Sequence, residues 1–164
     1  MLRLETYLSR TFRHNTLLGK FDEFLRTDRD ECGIALMDRI PVEHPYRYLR
    51  EKFQTGLEFP DGNIRRLERV IGLASTTDGA SHLASVADVL IGAFRYCVNE
   101  EDREIAGRAM FPDLVRLMWK RRLNGRNIVR DYGLVIRPLN VRHEPHKTEY
   151  QALINRLQGY LHDE

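Results

Sequence analysis

The sequence predicts an α/β protein: a partial layered fold with a short, mostly parallel sheet flanked by helices, and a further helix-and-strand segment at its C-terminal end. Two short apolar runs, Cys32–Met37 and Arg66–Ala74, alternate with longer stretches of helical period. Apolar residues make up 42% and charged residues 30% of the 164, a globular balance rather than a disordered one. No internal repeat or low-complexity tract interrupts the chain, and its length fits one domain over 1–164 with a single core.

Residues 2–13 and 16–27 read as helix, with a break near His14 and Asn15. Leu4, Tyr7, Leu8 and Phe12 share one face of the first, so an amphipathic helix is expected there rather than a transit peptide. Leu17, Leu18, Phe21, Phe24 and Leu25 follow the same period in the second. Cys32–Met37 suits a buried strand, with Asp38 at its end. Pro45 can open a helix that Gly56 closes, and Leu57–Asn63 reads as a turn-rich link. A second strand follows at Arg66–Ala74, parallel to the first. Ser81 is the expected N-cap of a helix from His82 to Val98. Pro112 opens another helix, with Leu114, Val115, Leu117 and Met118 inward and Asn124-Gly125 as its stop. A late strand at Tyr132–Arg137 and a helix at Thr148–Leu161 complete the order.

Composition excludes several classes. The longest apolar stretches, Ile34–Met37 and Val89–Phe94, are too short to span a bilayer, so no membrane partner is expected. Cys32 and Cys97 sit far apart in apolar segments, as two reduced, buried thiols of a reducing, cytoplasmic compartment would. Net charge is only +2, but Pro112–Arg142 holds eight basic residues against two acidic ones. That segment carries +6 and the remainder −4, which favours an anionic partner for the C-terminal third.

Two carboxylates are candidates for chemistry. Asp38 ends a buried strand. On the wheel of the 82–98 helix, Leu83, Val86, Ala87, Leu90, Phe94 and Cys97 form the core face, and Asp88 falls about 130° away beside Ala84, Gly92 and Arg95. The small residues leave room for another backbone or a ligand. Carboxylates on neighbouring elements can hold Mg²⁺ or Mn²⁺, which prefer oxygen ligands and activate water against phosphodiesters. On spacing alone, a surface pair between Asp88 and Arg95 is the commoner arrangement.

Read together, "GIALMDR", "LERVIGLAS" and "SHLASVADVLIGAFRYCVN" resemble the C-terminal half of the domain of unknown function 3800 family. That family has a strand ending in Asp, a second strand, a Ser-rich turn, and a helix with Ala-Asp and a Gly four residues on. Here these match Asp38, Ser81, Ala87-Asp88 and Gly92, and "YGLVIRP" resembles the family tail. The resemblance covers about two-thirds of the chain. It implies a ribonuclease H-like core over 1–99, a basic extension over 100–164, and a nuclease site in which Asp38 and Asp88 ligate Mg²⁺ or Mn²⁺. The family's first-strand Asp-Glu-Ser-Gly motif has no match here, so a truncated or inactive member is expected, with a non-catalytic binding module as the alternative. An unpaired edge in so thin a sheet would favour a homodimer.

The run "WKRRLNGRNIVR" sets an aromatic beside clustered cations. Lys120, Arg121, Arg122, Arg126 and Arg130 are the expected nucleic-acid contacts, against the alternative of a solvated helix end whose cations complement the dipole. Trp119 is a candidate core residue. His143, Glu144 and His146 are potential ligands, but Pro145 blocks a regular helical two-His geometry.

Overall fold

The structure is a computed structural model that describes residues 14–38, 45–59, 61–76, 81–99, 109–136 and 143–161. The chain divides into two compact units, Met1–Ser85 and Val86–Glu164. It is a mixed α/β chain. The described residues form three two-stranded sheets: the expected parallel pair and two antiparallel hairpins beside it in the chain order, so the strands are not mostly parallel. No helix among the described residues is long and apolar enough to cross a membrane.

The first unit contains α1 (14–24, continued by a π-helical turn, Leu25–Arg29), β1 (Gly33–Asp38), α2 (Pro45–Thr55), β2 (Leu57–Glu58), β3 (Ile64–Arg65) and β4 (Val70–Thr76). The helix expected over 2–13 lies outside the described residues. α1 runs unbroken through Asn15, and its buried stripe is Asn15, Leu18, Asp22 and Leu25. Leu17, expected inside, is exposed. The two polar members of the stripe fasten the helix to the rest of the unit. Asn15 donates from Nδ2 to the Glu58 carbonyl at 2.6 Å. Asp22 Oδ1 accepts three successive backbone N–H groups, from Glu68 at 2.9 Å, Arg69 at 2.7 Å and Val70 at 3.1 Å.

That carboxylate explains where β4 begins. Glu68 and Arg69 bend around it, so their N–H groups point at Asp22 rather than at a neighbouring strand. The strand expected from Arg66 therefore starts at Val70 and runs on to Thr76. β1 and β4 pair in parallel, as expected, with Ile34 opposite Gly72 and Asp38 opposite Thr76. Met37 and Leu73 pack against Tyr48 and Leu49 of α2, which covers that face. On the other face Ile34 and Leu36 are exposed, although parallel strands are usually covered on both sides. Cys32, just before β1, is exposed rather than buried. The 57–63 link holds a small hairpin: β2 pairs antiparallel with β3 around Asp61 and Gly62.

α3 (His82–Asn99) begins at Ser81, whose Oγ accepts the Ala84 N–H at 3.4 Å, the capping expected from sequence. The second unit adds α4 (Phe111–Leu117), β5 (Arg121–Leu123), β6 (Arg126–Ile128) and α5 (Glu144–Gly159). Its core gathers Cys97, Phe111, Val115, Val129, Leu157 and Leu161. Only the C-terminal part of the expected α3 core face takes part: Phe94 and Cys97 pack there, while Leu83, Val86 and Leu90 are exposed. The Phe94 and Tyr160 rings each meet Phe111 at 5.7 Å, and the Arg156 guanidinium lies 4.7 Å from the Phe111 ring centre. Burial pushes the Cys97 thiol up, with Arg156 opposing.

Three elements of the second unit differ from expectation. The helix opened by Pro112 stops at Leu117, because Met118 is extended (φ −71°, ψ 146°), and Asn124-Gly125 turns a hairpin instead of ending a helix. The strand expected at Tyr132–Arg137 is, as far as residue 136, a turn with one bridge between Arg130 and Leu134; Arg137 lies outside the described residues. The final helix starts earlier than expected, at Glu144. Pro145 sits in its first turn, where a missing N–H costs no hydrogen bond. The His143 and His146 rings are consequently 4.7 Å apart, and His146 Nδ1 lies 3.2 Å from Glu149.

Candidate nucleic-acid interface

Three of the expected basic residues, Arg121, Arg122 and Arg126, lie on a β-ribbon, and Lys120 and Arg130 flank it. Once Met118 turns the chain out of α4, Trp119 and Lys120 lead into β5. Asn124 (φ 51°) and Gly125 (φ 78°) form the two-residue loop, both with the positive φ that a type I′ turn needs. Gly takes that conformation without strain, and Asn tolerates it better than most side-chain-bearing residues. The turn's twist matches that of paired strands, so Arg121 meets Ile128, Arg122 meets Asn127 and Leu123 meets Arg126.

Directly opposed residues share a face. Arg121, Leu123, Arg126 and Ile128 therefore form one face, and Arg122 leaves from the other. Arg121, Arg122 and Arg126 are exposed, and Leu123 keeps 40% of its surface in water. The ribbon is held at its base. Val129 is buried in the core of the second unit, and Gln158 of α5 donates from Nε2 to the Asn127 carbonyl at 2.6 Å.

Beyond Val129 the chain turns back. Tyr132 N–H and Leu134 N–H both donate to the Val129 carbonyl, at 3.1 and 3.0 Å, and Asp131 N–H donates to the Leu134 carbonyl at 2.8 Å. The turn brings Tyr132 against Trp119, edge to face, with ring centres 5.2 Å apart and planes at 80°. The Arg121 guanidinium lies 5.8 Å from the Tyr132 ring centre. Gly133 permits the approach: a Cβ there would fall 2.5 Å from the Trp119 carbonyl oxygen and 2.8 Å from its nitrogen. Trp119 is thus partly buried at the ribbon's root rather than a core residue. Within 119–132 the cations Lys120, Arg121, Arg122, Arg126 and Arg130 meet a single carboxylate, Asp131, which sits 3.7 Å from Arg130 Nε.

The carboxylate candidates lie on other elements. Asp38 closes β1 in the first unit, and its carboxylate lies outside the described part of the chain. Asp88 lies mid-way along α3 in the second unit, is exposed, and makes no ion pair with Arg95 among the described residues. A Cβ at Gly92 would meet nothing within 4 Å among the described residues, so Gly92 serves no close backbone approach there. No group of three His, Cys, Asp or Glu side chains able to hold a metal occurs among the described residues.

Tyr132 and Gly133 are the site residues that sequence reasoning missed. The signal was present in the Asn-Gly dipeptide flanked by "RRL" and "RNI", a strong short-range hairpin signature, and recognising that ribbon would have directed attention to its root. Comparisons with protein-family models, curated proteins and solved structures find no match to this chain.

Proposed function

We propose that the second unit is a nucleic-acid-binding module that engages phosphates through the β5–β6 ribbon. The observation that carries this reading is the ribbon itself: a two-residue turn with positive φ at both positions holds Arg121, Arg122 and Arg126 in water, flanked by Lys120 and Arg130, with one acidic residue within 119–132. Arginine forks suit phosphate oxygens, and a fixed backbone lowers the entropy cost of presenting them. The test is electrophoretic mobility shift with labelled DNA and RNA at low salt. The triple change Arg121→Gln, Arg122→Gln, Arg126→Gln should weaken binding by about two orders of magnitude while leaving the circular dichroism spectrum intact. Unchanged binding would move the interface elsewhere.

A second reading keeps the expected nuclease of ribonuclease H type. It is favoured by the parallel pairing of β1 and β4, which sets Asp38 at the carboxyl end of its strand, where ligands of open α/β sheets bind. In that reading Asp38 and Asp88 ligate Mg²⁺ or Mn²⁺. Incubating nucleic acid with the protein and Mn²⁺ tests it: cleavage lost in both Asp38→Asn and Asp88→Asn supports it, and cleavage indifferent to both rejects it.

A further inference from the structure

We infer that the ribbon selects single-stranded nucleic acid, stacking a base on the Trp119–Tyr132 pair at its root; this rests on the phosphate-binding reading above. A surface built only for duplex phosphates needs cations alone. This one interleaves cations with apolar groups: Arg121 and Arg126 share their face with Leu123 and Ile128, and Leu123 is 40% exposed. A duplex turns its bases inward and leaves such side chains against its charged backbone. A single strand offers a base face to each apolar group while its phosphates reach the arginines.

The root of the ribbon has the geometry that stacking needs. Trp119 and Tyr132 meet at 80°, so the edge of one ring abuts the face of the other, and both side chains remain partly exposed. Arg121 lies over Tyr132 and can extend the stack as a planar cation. The platform is fixed beforehand. Gly133 is pressed against the Trp119 backbone, and Tyr132 is held by its N–H bond to the Val129 carbonyl, itself part of a buried anchor. The two strands rise about 10 Å from root to tip, enough for a few nucleotides.

Trp119 is the chain's single tryptophan, so its fluorescence reports on the root alone. The experiment titrates the full chain with oligothymidylate of about twelve nucleotides, with a duplex of similar charge, and with inorganic polyphosphate. Oligothymidylate should quench Trp119 and bind about tenfold more tightly than the duplex at equal salt. Tyr132→Leu and Trp119→Leu, read by anisotropy of a labelled oligonucleotide, should each lose about tenfold in oligonucleotide affinity. Both should leave polyphosphate binding unchanged, and Trp119→Phe should restore most of the loss. Equal affinity for all three polyanions without quenching would overturn the stacking inference and leave the phosphate-binding reading standing. Tighter binding of the duplex would likewise overturn it. Binding to none of the three would reject both.

Discussion

Asp22 is a charged side chain with 1% of its surface exposed, and one oxygen holds three peptide groups. Those N–H groups have no substitute acceptor if the carboxylate goes, and each buried donor left unmet costs about 1–3 kcal/mol. Asp22→Ala should therefore destabilise the protein by about 3 kcal/mol or more, seen as a lower urea midpoint. Asp22→Asn keeps an oxygen acceptor and should cost less. An alanine variant within about 0.5 kcal/mol of the parent would show that the bend at Glu68–Arg69 persists without it. The two thiols separate in the same way. Cys32 is exposed, whereas Cys97 is buried and its thiol is held in the unreactive protonated form. Native protein should give one fast-reacting thiol with a chromogenic disulfide reagent, and denatured protein two. Two fast thiols in the native state would mean that the core around Phe111 opens readily. The burial of Cys97 was legible from its apolar segment, whereas the apolar neighbours of Cys32 hid its exposure, and a periodic pattern that assigns helix interiors to apolar residues gives no sign of the buried Asn15 and Asp22.

At the scale of elements, apolar runs bounded by turn signals located β1, α2 and α3 well, and the Ser81 cap marked the start of α3. The basic ribbon is where the pattern misled. Leu114, Val115, Leu117 and Met118 keep a helical period up to the point where the chain leaves the helix, and nothing local to Met118 announces the turn. The candidate cations were therefore identified, but assigned to a helix end, where they would have faced outward singly. The ribbon depends on its loop, which gives a specific expectation. Gly125→Ala forces a side chain into φ 78° and should cost about 1 kcal/mol, with a matching loss of oligonucleotide affinity as the arginines lose their register. A Gly125→Ala variant that binds as well as the parent would show that the arginines act as independent charges rather than as a ribbon.

Across the whole molecule the charge is divided rather than large. The +6 of residues 112–142 stands against −4 elsewhere, so in the proposed phosphate-binding reading association with a polyanion should depend on that one region. If all five cations of 119–130 meet phosphates of a single strand, the logarithm of affinity should fall with the logarithm of salt with a slope of about −3.5. Each arginine neutralised should reduce that slope by about 0.7. A slope near zero would show that binding does not run through phosphate contacts. The carboxylate reading was legible only as a pattern. Asp38 and Asp88 are identifiable on their elements, but a metal site is a meeting of side chains in space, and the two residues belong to different compact units.

The loop between β5 and β6 also sets a folding clock. Leu123 and Arg126 are joined across two residues, whereas Gly33 and Val70 in the parallel pair are 37 positions apart. Closing a short antiparallel loop takes about 1–10 μs, and parallel pairing across a long crossover is intrinsically slow. Trp119 and Tyr132 then meet by local collapse, ahead of the β1–β4 ladder. In stopped-flow refolding the tryptophan signal should reach its native value in an earlier phase than the circular dichroism of the full chain, with the lag between them reporting how long Asp22 takes to find its three peptide groups.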